Sequence, residues 1–286
     1  MTTHTLHLPD VELVYDVHGP LPTADGRPPL LMIGQPMCAD GFSALAAQFP
    51  DRTVVTYDPR GLGRSVRSDG LTTSVPQTQA ADLHALIAEL GAGPVEVFGS
   101  SGGAIAGLAL VTAHPEDVVT LVGHEPPLFG LLPDADAALR ARDAWMDAYR
   151  AKGFGAGMAA FIAMTSWQGE YTDAYFAQPA PEPAMFGLPT EDDGVRDDPL
   201  LSERSLPVTE LVLDVAALTA APTRIVIGVG EESAATVTGR TGFATAAALG
   251  LEATMFPSHH GGFVGGDTGY GGKPEEFAAT LRTVLG

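Results

Sequence analysis

The stretch Val95-Glu96-Val97-Phe98-Gly99-Ser100-Ser101-Gly102-Gly103-Ala104 is a short β-branched run that passes through Gly-x-Ser-x-Gly straight into an apolar helical stretch. On so tight a strand-to-helix turn, the residues two before and two after a nucleophile must be tiny, and Gly99 and Gly103 meet that condition around Ser101. Ser100 would put Phe98 at the first of these positions, which makes it the poorer nucleophile. A hydroxyl placed this way projects at the carboxyl end of a sheet, over a helix N-terminus that favours developing negative charge. It can attack an acyl carbonyl if a base takes its proton. The competing reading is a turn of small residues that lets helix and sheet pack closely.

A base is offered by Met255-Phe256-Pro257-Ser258-His259-His260-Gly261-Gly262-Phe263, directly after the last predicted strand, where either histidine could serve. His4, His7 and His18 lie in an opening hairpin, His84 is mid-helix and His114 ends a helix before Pro115, so these five read as structural or solvated. His124 follows a core strand and either lines a pocket or supports a neighbour. The base needs a carboxylate to orient it. Glu231 and Glu232 follow the strand ending at Gly230, Glu125 follows the strand ending near Gly123, and Ser233 stands where an aspartate might. Acyl transfer also needs donors for an oxyanion. The N–H of Gly102 is one. The other comes from Gly34-Gln35-Pro36-Met37, where proline has no N–H, leaving Gln35 or, as the alternative, Met37.

The elements around these residues follow from the hydrophobic pattern. Alternation over His4 to Leu8 and Val11 to Val17 predicts a hairpin with a Pro-Asp turn. Leu30 to Ile33, Thr53 to Tyr57, Val95 to Phe98 and Val118 to Val122 are short unalternated runs, the pattern of strands buried on both faces. Helical period appears between them at Phe42 to Phe49, Gln77 to Leu90 and Gly102 to His114. Repeated β and α units predict a mostly parallel sheet with helices on both sides.

From Leu128 to about Leu206 no strand-like run occurs; helices are predicted around Ala137 to Ala151 and Gly155 to Trp167, before a Pro- and Asp-rich stretch from Gln178 to Pro199. A structureless loop of that length is foreign to a compact domain, so 128–206 reads as an inserted helical lid between core segments 1–127 and 207–286. The rhythm resumes with a strand at Arg224 to Val229, a helix at Thr236 to Leu249, a strand at Glu252 to Phe256 and a closing helix at Glu275 to Leu285.

Of 286 residues, 45% are hydrophobic and 17% charged, which suits a globular chain with a sizeable core. Asp and Glu outnumber Lys and Arg 35 to 15, and the net charge of −20 repels phosphate backbones and anionic lipid. No nucleic-acid or membrane partner is expected, and a homodimer is left open. The single cysteine, Cys38, excludes an intrachain disulfide and a thiolate-built metal site. With no basic-then-apolar leader and no run of about 18 apolar residues, a cytoplasmic location is expected.

Together these residues resemble the α/β-hydrolase superfamily over nearly the whole chain. Tyr57-Asp58-Pro59-Arg60-Gly61-Leu62-Gly63-Arg64-Ser65 is similar to its D-x-R-G-x-G-x-S signature, which in the family is structural support beneath the nucleophile turn. Gly34-Gln35-Pro36 is similar to its H-G-x-P oxyanion turn, with Ile33 in place of the histidine. Pro257-Ser258-His259-His260-Gly261-Gly262-Phe263 resembles P-G-x-H-x-G-F, which places the family's catalytic histidine on His260. The usual acid position reads Gly230-Glu231-Glu232-Ser233 instead of G-x-x-D, so Glu125 becomes first choice and Glu232 and Glu231 the alternatives. The resemblance implies an α/β-hydrolase fold with a mostly parallel eight-stranded sheet and a helical cap.

What it implies for activity is a serine hydrolase of the carboxylic-ester type, working through a Ser101-His260-Glu125 triad and an acyl-enzyme. Serine in place of the aspartate of related epoxide hydrolases and dehalogenases points to ester, thioester, lactone or amide cleavage. No metal or organic cofactor is required, and no H-E-x-x-H, P-loop or dinucleotide fingerprint occurs. The lid carries most of the aromatic residues, among them Trp145, Tyr149, Phe161 and Trp167, which pack as a core or roof a hydrophobic small-molecule substrate. The acidic balance disfavours strongly anionic substrates such as CoA esters. Two other readings use the same residues: a carbon–carbon hydrolase, perhydrolase or cofactor-free lyase, and a ligand-binding pseudoenzyme.

Overall fold

Short aliphatic runs bounded by Gly, Pro or Asp become the strands of one sheet in the computed structural model, which describes residues 1–266 and 270–286. The strands are β1 (Thr2–Leu8), β2 (Val11–His18), β3 (Leu30–Ile33), β4 (Val54–Tyr57), β5 (Val66–Arg67), β6 (Val95–Ser100), β7 (Val118–His124), β8 (Arg224–Gly230) and β9 (Thr254–Phe256). Eight of them run in the order β1-β2-β4-β3-β6-β7-β8-β9, and the two-residue β5 pairs with β2 off this path. β1 and β2 form the expected antiparallel hairpin, β2 is antiparallel to β4, and every later neighbour pair from β4 to β9 is parallel. This is the α/β-hydrolase fold.

Successive strand residues point to opposite faces, so the sheet feeds two cores. Leu31, Ile33, Val97 and Leu121 face one with Ile105 and Leu108, while Met32, Phe98 and Val122 face the other with Phe256, Phe263 and Phe277. The helix Gly102–Ala113 is apolar all round because it is buried from Gly102 through Val111. Its neighbour Pro76–Leu90 buries Ala80, Leu83, Leu86 and Ile87 but also Gln79 and Asp82. Asp82 takes a two-pronged hydrogen bond from Arg60 at 2.8 and 2.5 Å, and Arg60 reaches Asp10 at 2.7 Å. Asp58 accepts from the N–H groups of Ala39 and Arg64 at 2.9 and 2.8 Å, and Ser65 Oγ donates to the Asp58 carbonyl at 2.7 Å. The polar residues of the stretch from Asp58 to Ser65 thus hold backbone in place.

Between β7 and β8 the described residues form helices at Ala135–Lys152 and Phe154–Ser166, short turns, and no named strand. Trp145, Met146, Tyr149, Met164 and Tyr171 are buried there in a core of their own, whereas Met185 and Phe186 are exposed. Among the described residues no helix is long and apolar enough to cross a membrane.

Two local expectations differ from the structure, and one six-residue helix is unexpected. The helix expected over Phe42 to Phe49 is a 3-10 turn at Ala39–Phe42 followed by four helical residues, Ser43–Ala46. Pro50 disfavours helical backbone at Phe49, so the stretch cannot run on. The strand expected from Glu252 begins at Thr254. A helix at Val215–Ala220 has no counterpart in the hydrophobic pattern, although Asp214 caps it by accepting from the Ala217 N–H at 2.9 Å.

The closest backbone approach in the sheet–helix packing is at Gly103, where a Cβ would stand 2.2 Å from the Ile33 carbonyl oxygen. Gly103→Ala should therefore cost about 2–3 kcal/mol, read by urea denaturation. Gly130→Ala, with nothing within 4 Å of its Cβ, should stay within about 0.5 kcal/mol of the parent.

Candidate active site

The turn between β6 and its helix holds Ser101 at φ 56° and ψ −125°, a conformation that residues with a Cβ rarely adopt. Its N–H donates to the His124 carbonyl at 2.9 Å and its own carbonyl accepts from Ala104 N–H at 3.0 Å, so the backbone is pinned from both sides. A Cβ on Gly99 would lie 2.8 Å from the Gly103 carbonyl oxygen, which explains small residues at both flanking positions. Ser101 is partly accessible, whereas Ser100 is buried at the end of β6.

His260 turns its Nδ1 to Glu125 Oε2 at 2.6 Å. That contact leaves Nε2 as the nitrogen available to a substrate or to a hydroxyl. Glu125 is fully buried just past β7, at φ 48°. Its Oε1 accepts from the Gly230 N–H at 2.8 Å and from the hydroxyl of Ser233. Burial pushes this carboxyl up, but the hydrogen bond from His260, the neighbouring imidazoles and the Ser233 hydroxyl outweigh it and hold the group well below the usual carboxylate range. Glu231 and Glu232 are exposed, and Glu232 reaches Lys273 at 3.0 Å. The structure brings Glu125 to His260 and keeps the other two glutamates on the surface. His259 stays within its own loop, accepting from the Gly261 N–H at 3.1 Å and packing on Tyr270.

The two expected oxyanion donors are neighbours. A Cβ on Gly102 would meet the Gln35 carbonyl oxygen at 2.7 Å, so these stretches of backbone touch. As the first residue of a helix, Gly102 has an N–H with no intrahelical acceptor. Gln35 is fixed by its side chain: Nε2 donates to Ser74 Oγ at 2.7 Å, and Oε1 accepts from Gln79 Nε2 at 2.7 Å. Ser74 and Gln79 escape a motif-based reading, and the one sequence signal for them is a glutamine on the buried face of the helix Pro76–Leu90. Met37, the alternative donor, lines only the larger of the two cavities described next.

Those cavities meet at Ser101 and His260. One, of about 470 Å³, runs beneath the helical insertion and is walled by Gly102, Trp145, Phe161, Leu200 and Val208. The other, of about 910 Å³, reaches Met37, Cys38, Asp58 and Arg64. Burial, with the charges of Asp58 and Asp40, pushes the Cys38 thiol up to about 11, so it is no thiolate rival to Ser101 at neutral pH.

His124 lies behind the site and lines neither cavity. It is fully buried among Phe98, Phe256, Phe263 and Phe277, its ring centroid 6.1 Å from that of His260. Among the described residues neither ring nitrogen has a hydrogen-bond partner. Burial lowers its pKa from 6.5 to about 4. The unfolded chain therefore takes a proton here below pH 6.5 that the folded chain refuses until about pH 4, and stability falls with pH across that window. Relative to the parent, His124→Leu should gain about 2 kcal/mol between pH 7 and pH 5, read by urea denaturation at the two values.

Comparison with known proteins agrees with this fold. Residues 29–176, just over half of the chain, match the family model described as the alpha/beta hydrolase fold. An uncharacterized hydrolase, YraK of Bacillus subtilis, is 39% identical over 129 residues, which are 45% of this chain and 46% of that protein. The chain spans under half the length of the curated relatives it matches. A thermophilic esterase from Thermogutta terrifontis superimposes with a TM-score of 0.64 at 20% identity, covering 100% of this chain and 98% of the other. The esterase RhEst1 from Rhodococcus sp. ECU1013 does so with a TM-score of 0.64 at 19% identity, covering 100% and 98%. With a mostly parallel sheet, a strained serine at a glycine-flanked turn, and a family match across the segment that holds that turn, the chain belongs to the alpha/beta hydrolase fold family.

Proposed function

We propose that the chain cleaves an ester, thioester or lactone of a hydrophobic small molecule, with Ser101 as nucleophile, His260 as base and Glu125 as the acid that orients it. The observation that carries this reading is the 2.6 Å approach of His260 Nδ1 to the buried Glu125 carboxylate, on a ring that shares both cavities with Ser101. In the proposed reaction, His260 Nε2 takes the Ser101 proton as Oγ bonds to the carbonyl carbon. The N–H groups of Gly102 and Gln35 bind the oxyanion that forms. His260 then gives its proton to the leaving oxygen or sulfur, and an acyl-enzyme remains. The same imidazole activates water, which restores Ser101 and releases the acid.

Serine at the turn supports attack on a carbonyl. The apolar wall of the smaller cavity supports a hydrophobic acyl or aryl group, and two fold neighbours described as esterases are compatible with it. Residues 128–206 act in this reading as a cap over the core, with Trp145 and Phe161 reaching the cavity while Tyr149, Met164 and Tyr171 hold the cap together.

Purified protein should be labelled by a fluorophosphonate at Ser101, located by peptide mass spectrometry, and should turn over a panel of aryl esters with a preference for longer acyl groups. A folded protein whose Ser101 resists the probe would instead be a ligand-binding protein. On the best ester of the panel, Glu125→Gln should lower kcat by about ten-thousand-fold, the scale seen when a triad histidine loses its carboxylate. Glu231→Gln and Glu232→Gln should change it by no more than a few-fold, and equal small losses at all three would refute the assignment of the acid.

A further inference from the structure

The helix that begins at Gly102 ends at a second group of reactive side chains, about 18 Å along its axis from Ser101. His114 closes this helix, Asp117 ends the Pro115–Asp117 turn after it, and His84 comes from the neighbouring helix Pro76–Leu90. The rings of His84 and His114 lie face to face, with centroids 3.8 Å apart and planes 10° from parallel. His84 Nδ1 is 2.6 Å from Asp117 Oδ2, and Glu116 Oε1 is 3.9 Å from His114 Nδ1. One donor atom from each of His84, His114 and Asp117 lies within 4.8 Å of the other two.

A hydrogen bond to Asp117 accounts for His84 but not for His114 pressed against it. Two imidazoles at that spacing repel when both are protonated, and neutral imidazole is the form that binds metal. Two nitrogens and a carboxylate oxygen suit zinc and its transition-metal neighbours better than magnesium or calcium, which prefer oxygen alone. Zinc bonds of about 2.0–2.2 Å bring tetrahedral donors to roughly 3.3–3.5 Å from one another. Parallel rings aim their lone pairs along separate planes, so binding requires the two imidazoles to turn out of the stack as well as to close that gap, and the partial exposure of all three side chains leaves room for it. The net charge of −20 favours any cation near the surface.

We propose that His84, His114 and Asp117 bind a divalent transition-metal ion of the zinc class, with water or Glu116 completing its shell. The site takes no part in the chemistry at Ser101. Its effect is to tie the helix Pro76–Leu90 to the far end of the helix that carries the nucleophile turn, stabilising the folded chain by mass action.

Chelator-stripped full-length protein, titrated with zinc chloride by calorimetry at pH 7.5, should bind one equivalent and melt at a higher temperature with zinc present. His84→Ala, His114→Ala and Asp117→Asn should each weaken binding by about tenfold or more and abolish the shift in melting. His260→Ala should bind as the parent does, which separates this site from His124, Glu125 and His260. Should His114→Ala not fold, His114→Gln takes its place, and loss of the visible absorption of bound cobalt(II) reports the same ligand. Absence of stoichiometric binding in the parent, parent-like binding in a folded His114 variant, or loss of binding in His260→Ala would each overturn the proposal.

Discussion

The helix beginning at Gly102 packs so near β3 that the backbone at Gly103 and the carbonyl of Ile33 leave no room for a methyl group. The Ser101 turn depends on this approach. It sharpens the turn that holds Ser101 in an unfavourable conformation. It also presses the first residue of the helix against Gln35, so that the candidate nucleophile and the two candidate oxyanion donors meet at a single backbone crossing. Side chains then secure it, with Gln35 held by Ser74 and Gln79, and Asp58 holding Ala39 further along the same loop.

Burying a carboxylate costs several kcal/mol unless its oxygens are occupied. At Glu125 they are, by a backbone N–H, a serine hydroxyl and an imidazole. Ser233 stands where the strand ending at Gly230 lacks an aspartate, and its hydroxyl reaches across to the neighbouring strand's glutamate. In the proposed triad the acid and its support have in effect exchanged strands. Next to this pair His124 lies in a cage of phenylalanine rings, where burial lowers its pKa to about 4 and leaves it uncharged at neutral pH.

The segment between β7 and β8 divides its aromatic side chains between two tasks. Most close a small core of their own, which gives the segment a reason to hold its shape. Trp145 and Phe161 also face the cavity that ends at Ser101. The larger cavity, on the other side of the serine, carries Asp58 and Arg64 on a wall that also holds Met37, Phe161, Leu200 and Phe263.

How much of this was legible in the sequence differs from feature to feature. Short aliphatic runs and glycine spacing are local properties, so the strands, the Ser101 turn and the hydrolase family could be read from the chain alone. The four-residue helix Ser43–Ala46 and the late start of β9 could not, because packing against the rest of the chain decides where such short elements begin and end. The partner of His260 was beyond local pattern altogether. Glu125, Glu231 and Glu232 all follow strands, and what separates them is burial and a contact across 135 residues of chain. Ser74 and Gln79 carry no motif, and their buried amide contacts come into being only when helix, loop and sheet meet. Residue type and spacing determined which groups were capable of chemistry; tertiary packing decided which of them meet, because only there is water removed from Glu125 and a neighbour set against every oxygen.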